Sequence, residues 1–253
     1  DVERSRGLGD VYKRQMAGHA VGNLLIAGLS DVLGDFQDAL DAIAKLTDSA
    51  GRVLPSVNLP LDIEADVAGL DDDPRIMRSV RGQVAVASTV GQVRRVRIIP
   101  ERPKANPETL QALLDADMIT LGPGSWFSSV LPHVLVPDIV EAITSSDALR
   151  VIVLNLSSEP GETQGFSAER HLHVLAQHAP NLRVDRVIVD EESLPNESER
   201  VFVQRAASVL GATAVFRDVR QVDEDGQVFN KHCPEKLAAV FNELYAEHIC
   251  DAE

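Results

Sequence analysis

Two glycines and a serine interrupt an apolar stretch of this chain, where a simple turn would need at most one glycine. In MITLGPGSWFSSVLP, residues 118–132, a short apolar run stops at Gly122, Gly124 and Ser125 before a second apolar run begins. Glycine allows a ligand to approach the backbone closely, and the N–H groups at the start of a helix bind anions such as phosphate. We therefore predict that these three residues line a ligand site, with ordinary turn chemistry as the alternative.

A second stretch, VLNLSSEPGETQGFS at 153–167, follows another apolar run and has a similar composition. Asn155, Thr163 and Gly165 give it an amide, a hydroxyl and a glycine, and a helix is predicted to start near Ser167. Neither stretch has the lysine of a Walker loop or the G-x-G-x-x-G spacing of a dinucleotide-binding loop. We predict that Asn155, Thr163 and Gly165 close over the ligand, and the alternative is again a structural turn.

A third candidate pair lies in GHAVGN, residues 18–23. His19 and Asn23 are four residues apart, so on a helix they share one face. An asparagine in an apolar helix is costly to bury without a partner. Asn23 therefore either bonds a neighbouring loop or faces a pocket together with His19, and we keep both residues as candidate ligand contacts. These patterns predict no catalytic residue and no metal site.

Composition narrows the class of protein. The chain has 253 residues, 44% of them hydrophobic, and a formal net charge of −15. This is enough for one large α/β domain or two small ones, and the charge argues against a nucleic-acid-binding surface. No apolar run is long enough to cross a bilayer, and the N-terminus is polar and charged rather than a signal peptide. Cys233 and Cys250, the two cysteines, have no close partner motif, so we expect a reducing, cytoplasmic location.

The elements that would position these groups change character along the chain. Two helices are predicted between Ala17 and Asp48, and residues 52–100 form a small β-rich insertion with strands predicted in RVLPSV, LDIEADV, RGQVAVA and VRRVRII. From Pro107 onward, helices and apolar strands alternate, and DEDG at 223–226 is typical of a hairpin loop. The alternation predicts a Rossmann-like α/β fold, with a mostly parallel sheet covered by helices on both faces. Ligands of such sheets bind at the carboxyl ends of the strands, where both glycine-containing stretches would lie.

The first fifteen residues, DVERSRGLGDVYKRQ, show no periodicity and are typical of a non-native linker. We therefore expect the domain to comprise residues 16–253.

Three motifs in order resemble one family: GHAVGNLLIAGL, ITLGPGSWFSSVLPHVLVPDIVEAI and NLSSEPGETQGFSAERHLHVL. From about Ala17 to the C-terminus the chain resembles the 2-phospho-L-lactate transferase-like superfamily. Within it, the chain is most similar to the gluconeogenesis factors, which bind UDP-N-acetylglucosamine and regulate cell shape. The resemblance implies a Rossmann-like fold. Family members begin with a strand and a glycine-rich loop that have no counterpart here. We expect their absence to make the chain poorly soluble and unable to bind the nucleotide sugar.

The resemblance implies a regulator rather than an enzyme. It would bind UDP-N-acetylglucosamine, act on cell-wall synthesis or regulatory proteins, and be needed for growth on gluconeogenic carbon sources. The resemblance leaves homo-oligomer formation open and makes no cofactor certain. The alternative is a 2-phospho-L-lactate transferase acting on a deazaflavin precursor, for which Mg²⁺ would be needed although no clear carboxylate cluster is present. Binding of a dinucleotide is a third possibility, because this type of pocket suits a diphosphate bridge.

Overall fold

The computed structural model describes residues 20–73, 75–158, 163–194, 196–223 and 225–252. The chain divides into two compact units, residues 1–58 and 59–253.

The described part of the first unit contains two helices, as predicted: α1 (Val21–Leu33) and α2 (Phe36–Leu46). Helix α1 ends at Gly34, whose positive φ of 77° favours glycine, and the Asp35 side chain caps α2 by accepting from the Asp38 N–H at 2.9 Å. The strand predicted at RVLPSV, 52–57, is wrong, because this segment has no strand. Its Pro55 cannot donate to a ladder.

The second unit begins with an antiparallel sheet of order β2–β1–β3. Its elements are β1 (Asp62–Ala68), β2 (Met77–Arg81), helix α3 (Gln83–Ala87) and β3 (Gln92–Ile99). The predicted strands LDIEADV and VRRVRII are confirmed as β1 and β3, which face each other at Ala65 and Val96.

Two details of this sheet differ from prediction. The strand predicted at RGQVAVA is wrong, because Gln83–Ala87 is helix α3 and only Arg81 belongs to a strand. Gly82 turns the chain out of β2 with a φ of 101° and donates its N–H to the Ile63 carbonyl oxygen at 2.7 Å. Strand β2 was missed because its side chains are mostly exposed and show no apolar alternation.

The second sheet of this unit is parallel and has the order β4–β5–β6–β7. Its strands are β4 (Met118–Leu121), β5 (Leu149–Val153), β6 (Arg186–Asp190) and β7 (Thr213–Arg217). The helices around them are α4 (Pro107–Leu114), a π-helix (Trp126–Val130), α5 (Leu131–Val134), α6 (Pro137–Ser145), α7 (Ala168–His178) and α8 (Glu197–Val209). The predicted alternation and the α/β fold class are confirmed.

A hairpin and a long helix complete the chain. The hairpin consists of β8 (Arg220–Val222) and β9 (Val228–His232), and α9 runs over Pro234–Ala252. Val151 and Val153 of β5 pack in one buried cluster with Val240 and Leu244 of α9. Ile152 points to the opposite face and is also fully buried. Side chains on both faces of β5 are therefore covered.

Across the described residues, we find no single helix that is long and apolar enough to span a membrane. One bent pair, Trp126–Val134 with Pro137–Ser145, meets the length and composition criteria only when its two halves are counted together, and these halves are inclined by 73°.

Candidate functional site

The carboxyl ends of β4 and β5 come into close contact at Gly122, the residue directly after β4. Gly122 has a φ of 77°, and a Cβ atom there would lie 2.8 Å from the Val153 carbonyl oxygen. A side chain would therefore be strained twice, once by the backbone conformation and once by the contact with β5. Glycine is required at this position by the packing of two neighbouring strands.

Asn155 joins the two stretches that the sequence singled out. Its Oδ1 accepts from the Gly124 N–H at 3.0 Å, and its Nδ2 donates to the Gly124 carbonyl oxygen at 2.9 Å. Both polar groups of Gly124 are therefore held by one side chain, and the loop after β4 is fastened to the segment after β5. Because Asn155 occupies the Gly124 N–H, that group is not available to an anion in this conformation.

A cavity of about 310 Å³ lies beside this junction, and we call it the strand-end cleft. It is lined by Pro123, Gly124, Asn155, Leu156, Ser157, Asn230, Lys231 and His232. The last three lie on β9, so the hairpin lies across the strand ends. Asn230 donates from Nδ2 to the Ser157 hydroxyl oxygen at 2.7 Å.

The sequence predicted the hairpin turn but not its contribution to the cleft. The sequence analysis did not identify three site residues on β9, because nothing in a short polar strand indicates which sheet edge it will cover. They are Asn230, Lys231 and His232. Lys231 is one of 24 lysines and arginines in the chain, so its charge did not identify it either.

A buried ion pair connects the hairpin to the parallel sheet. Asp190, at the end of β6, is 1% exposed and accepts from Arg220 Nη2 at 2.8 Å. The same carboxylate accepts from the Val219 N–H at 3.3 Å, and the Ser193 hydroxyl lies 2.9 Å from it. These bonds connect the end of β6 to the start of β8, and thereby position β9 beside the cleft.

His232 is the half-buried titratable group of the cleft. Burial lowers its pKa below the ordinary value for histidine, and the Leu154 backbone and Asp190 partly offset this effect. Among the described residues, its buried Nε2 has no hydrogen-bond partner. Because the pKa lies below the ordinary value, the ring is largely neutral at pH 7, and Lys231 is the cationic residue of the lining.

Ser125 precedes the π-helix as its N-cap, with no capping bond from its hydroxyl. The Ser125 carbonyl oxygen accepts from Ser129 and Val130, which are four and five residues ahead, and thus starts the wide turn. Ser125 follows Gly124 directly but is not among the side chains that line the cleft.

Thr163 and Gly165 lie beyond the cleft lining, in a segment held by aromatic packing. Phe166 packs edge-on against Phe127 at 5.9 Å between ring centroids, and His171 packs edge-on against Trp126 at 5.1 Å. Thr163 is fully buried, and Gly165 has a positive φ of 76° with open space around it. Their role as ligand contacts stays a prediction.

The remaining candidates belong to the first unit. Asn23 is exposed on α1, and His19 lies outside the described residues.

Metal binding is relevant only to the transferase alternative, which requires Mg²⁺. Within the described ranges, no group of three or more histidine, cysteine, aspartate or glutamate side chains could hold a metal ion.

Comparison with known proteins gives a consistent family. Residues 4–228 match the family described as 2-phospho-L-lactate transferase CofD. A Mycobacterium tuberculosis (strain CDC 1551 / Oshkosh) protein named "Putative gluconeogenesis factor" is 50% identical over 238 residues, which cover 94% of this chain and 68% of that protein. The "Gluconeogenesis factor" of Bacillus subtilis (strain 168) is 32% identical over 192 residues, 76% of this chain and 58% of that protein.

A solved structure supports the fold. A UPF0052 family member from Bacillus halodurans superposes with a TM-score of 0.73 and 28% identity, covering 89% of this chain and 73% of that one. The predicted resemblance to gluconeogenesis factors is confirmed by the names of these relatives, and the α/β fold is confirmed by this neighbour.

Proposed function

The chain belongs to the family described as 2-phospho-L-lactate transferase CofD, and from this membership we propose a UDP-N-acetylglucosamine-binding regulator. In this proposal it acts in the cytoplasm on cell shape and cell-wall synthesis, and growth on gluconeogenic carbon sources depends on it. The relatives named gluconeogenesis factor favour this function over the transferase.

The observation that carries the proposal is the position of Lys231 beside the Gly124–Asn155 junction. A parallel sheet binds ligands at the carboxyl ends of its strands, and the strand-end cleft lies there. Its volume of about 310 Å³ is at the lower end of the range for small-molecule sites. We assign the diphosphate to Lys231 and the sugar or uracil to the amides of Asn155 and Asn230, which can both donate and accept.

Calorimetric titration with UDP-N-acetylglucosamine tests this assignment, and binding would also overturn the expectation from the sequence that this chain cannot bind the nucleotide sugar. Replacing Lys231→Ala removes the charge that faces the diphosphate, so the Kd is expected to rise about tenfold or more, since charge-assisted hydrogen bonds are the stronger class. Lys104→Ala, which removes an exposed lysine that is not part of the cleft lining, serves as the matched control. Equal affinity of the Lys231→Ala variant and the control would refute the assignment.

Ser125, Thr163 and Gly165 remain proposed contacts. Thr163→Val keeps the shape and removes the hydroxyl, so a ligand bond to that hydroxyl predicts a loss of about 1 kcal/mol of binding. Because Thr163 is fully buried, melting temperatures must be measured alongside the titration. Tight binding by a destabilised variant would leave Thr163 with a structural role alone.

The second candidate is the 2-phospho-L-lactate transferase named by the family description. Incubation with a deazaflavin precursor, a diphosphate-linked phospholactyl donor and Mg²⁺, followed by mass spectrometry, tests it. Transfer that Lys231→Ala abolishes would favour this candidate. Complementation of a deletion strain on a gluconeogenic carbon source without transfer would favour the regulator.

We further propose that the partners are cell-wall synthesis or regulatory proteins, and that self-association remains an option. Light scattering with and without UDP-N-acetylglucosamine measures the oligomeric state directly.

A further inference from the structure

A cluster of arginines lies along one edge of the antiparallel sheet in the second unit. Among the described residues, β3 pairs only with β1, so its other edge carries no strand. A cavity of about 550 Å³ runs beside that edge, and we call it the β3 groove. Its charged lining consists of Arg94, Arg95, Arg97, Arg102 and Glu101, with His178 nearby.

Three of these arginines have no carboxylate partner within the described part of the chain. Arg97 is the exception, because it pairs with Glu64 and with Asp66. Arg94 donates to the Gln92 side-chain oxygen at 2.9 Å, and neither Arg95 nor Arg102 forms an ion pair with a described residue. In a chain with a net charge of −15, this local excess of cations would attract an anion from outside the chain.

A second cavity, lined by apolar and polar residues together, adjoins the groove. It has a volume of about 750 Å³ and shares Arg102, Leu135 and His178 with the groove. Val134, Pro137 and Val140 form the apolar recess of this cavity, and its polar lining includes Glu141, Thr144, Ser145 and Asn181. The two cavities together present cations at one end and an apolar recess at the other.

The groove wall does not depend on the unpaired arginines. The Val96 N–H donates to His178 Nε2 at 3.0 Å, and His178 Nδ1–H donates to the Val174 carbonyl oxygen at 2.7 Å. These two bonds attach the edge of β3 to α7. Substitution of the exposed arginines should therefore leave the wall in place.

We propose that the β3 groove binds an extended acidic segment of a partner protein, with one large apolar side chain in the adjoining recess. Guanidinium groups pair with carboxylates in a forked geometry, and interface energy concentrates in apolar anchors. A small ligand would occupy one of the two cavities, whereas an extended segment can reach both. A nucleic acid would leave the apolar recess unused, and each added phosphate is repelled by the acidic remainder of the chain.

Fluorescence anisotropy with a labelled peptide tests the proposal. The probe is the octapeptide Glu-Glu-Leu-Glu-Glu-Phe-Glu-Glu, and the comparison probes replace both apolar residues by alanine or all glutamates by lysine. We expect the probe to bind more tightly than either comparison peptide, and we expect its affinity to fall as salt is raised. The double variant Arg95→Glu/Arg102→Glu should raise its Kd about tenfold or more.

Arg205→Glu, at an exposed arginine on α8 outside the groove, is the matched control and should change the Kd less than about twofold. Thermal melting checks that all variants are folded, and Arg95→Gln/Arg102→Gln provides a milder test if charge reversal unfolds the chain. The proposal would be overturned if the control variant lost as much peptide affinity as the double variant, or if the alanine peptide bound as tightly as the probe. Tighter binding of a labelled oligothymidylate than of the probe would also overturn it. The double variant should bind UDP-N-acetylglucosamine with unchanged affinity. A failure of the groove proposal can therefore be told apart from a failure of the proposed nucleotide-sugar site.

Discussion

The strand-end cleft and the β3 groove hold their polar groups in opposite ways. In the cleft, Asn155 is fastened to the Gly124 backbone, and Asp190 behind it is buried against Arg220. In the groove, Arg95 and Arg102 are exposed and have no ion pair among the described residues. A ligand of the cleft would meet a preorganised surface, whereas a ligand of the groove would have to order its side chains on binding.

The difference originates in the two sheets. Parallel strands such as β5 are buried on both faces, so polar groups near their ends must be hydrogen-bonded within the protein. Strand β3 alternates between buried and exposed residues, so its charged side chains remain in solvent. Substitutions of the hydrogen-bonded groups at the cleft should therefore cost stability as well as binding, and substitutions of the unpaired groove arginines should cost binding alone.

The largest effect is expected from Asp190→Ala. This change leaves Arg220 without its buried carboxylate, and breaking such a pair costs about 3 kcal/mol or more of unfolding free energy. Urea unfolding measures the loss. Since Asp190 supports the hairpin, nucleotide-sugar affinity should fall with it.

Asp218→Ala is the matched control, because Asp218 pairs with Lys236 at 2.6 Å while its side chain is 49% exposed. Its loss is expected to be about 1 kcal/mol or less. If both variants unfold at the same urea concentration, the buried pair does not support the cleft as described.

Gly122→Ala should have the next largest effect. A left-handed conformation costs a non-glycine residue about 1–2 kcal/mol, and here the new Cβ also meets the Val153 carbonyl oxygen at 2.8 Å. We expect a loss of about 2–3 kcal/mol in total. Gly165→Ala separates the two causes, because Gly165 has nearly the same φ with open space around it. Equal losses in the two variants would show that the contact with β5 contributes nothing.

Acidification should loosen the attachment of β3 by a smaller amount. Burial lowers the pKa of His178 below its ordinary value, and the charge of Arg95 acts in the same direction. The unfolded chain therefore binds more protons than the folded chain as the pH falls below about 6.5, and stability is lost from there down to the lowered pKa of the folded state. His178→Gln should flatten this part of the profile, measured by urea unfolding at pH 7.5 and 5.5. A slope unchanged by the substitution would assign the pH dependence to other groups, such as His171 and His232, whose pKa values burial also lowers.

The smallest effect is expected in the groove. Arg95→Ala removes an exposed side chain without an ion pair among the described residues, so the unfolding free energy should change by less than about 0.5 kcal/mol. Differential scanning fluorimetry is sufficient to measure this. A loss as large as that of Gly122→Ala would mean that the groove is part of the core structure, and the comparison of the two regions would fail.

The local pattern of apolar residues was sufficient to predict most of the helices and strands. Strands such as Leu149–Val153 are continuous apolar runs, and the helices between them show apolar residues at helical spacing. Pattern failed at Gln83–Ala87, where an alternating apolar sequence forms a short helix because the chain must turn between two strands. It also failed at Met77–Arg81, which is held in its sheet by pairing with β1 rather than by a buried face of its own.

The amino-acid sequence by itself determined the alternation of strands and helices, the glycines at 122 and 124, and the amide at 155. These are local properties, since backbone freedom and apolar period are encoded within a few residues. Only the tertiary structure decided that Asn155 holds Gly124, that Asp190 meets Arg220, and that Lys231 lies at the strand ends. Those contacts join residues about 30 or more positions apart, and they depend on strand order and on the direction of the hairpin. Both are set by packing of the whole sheet, which no short stretch of the chain contains.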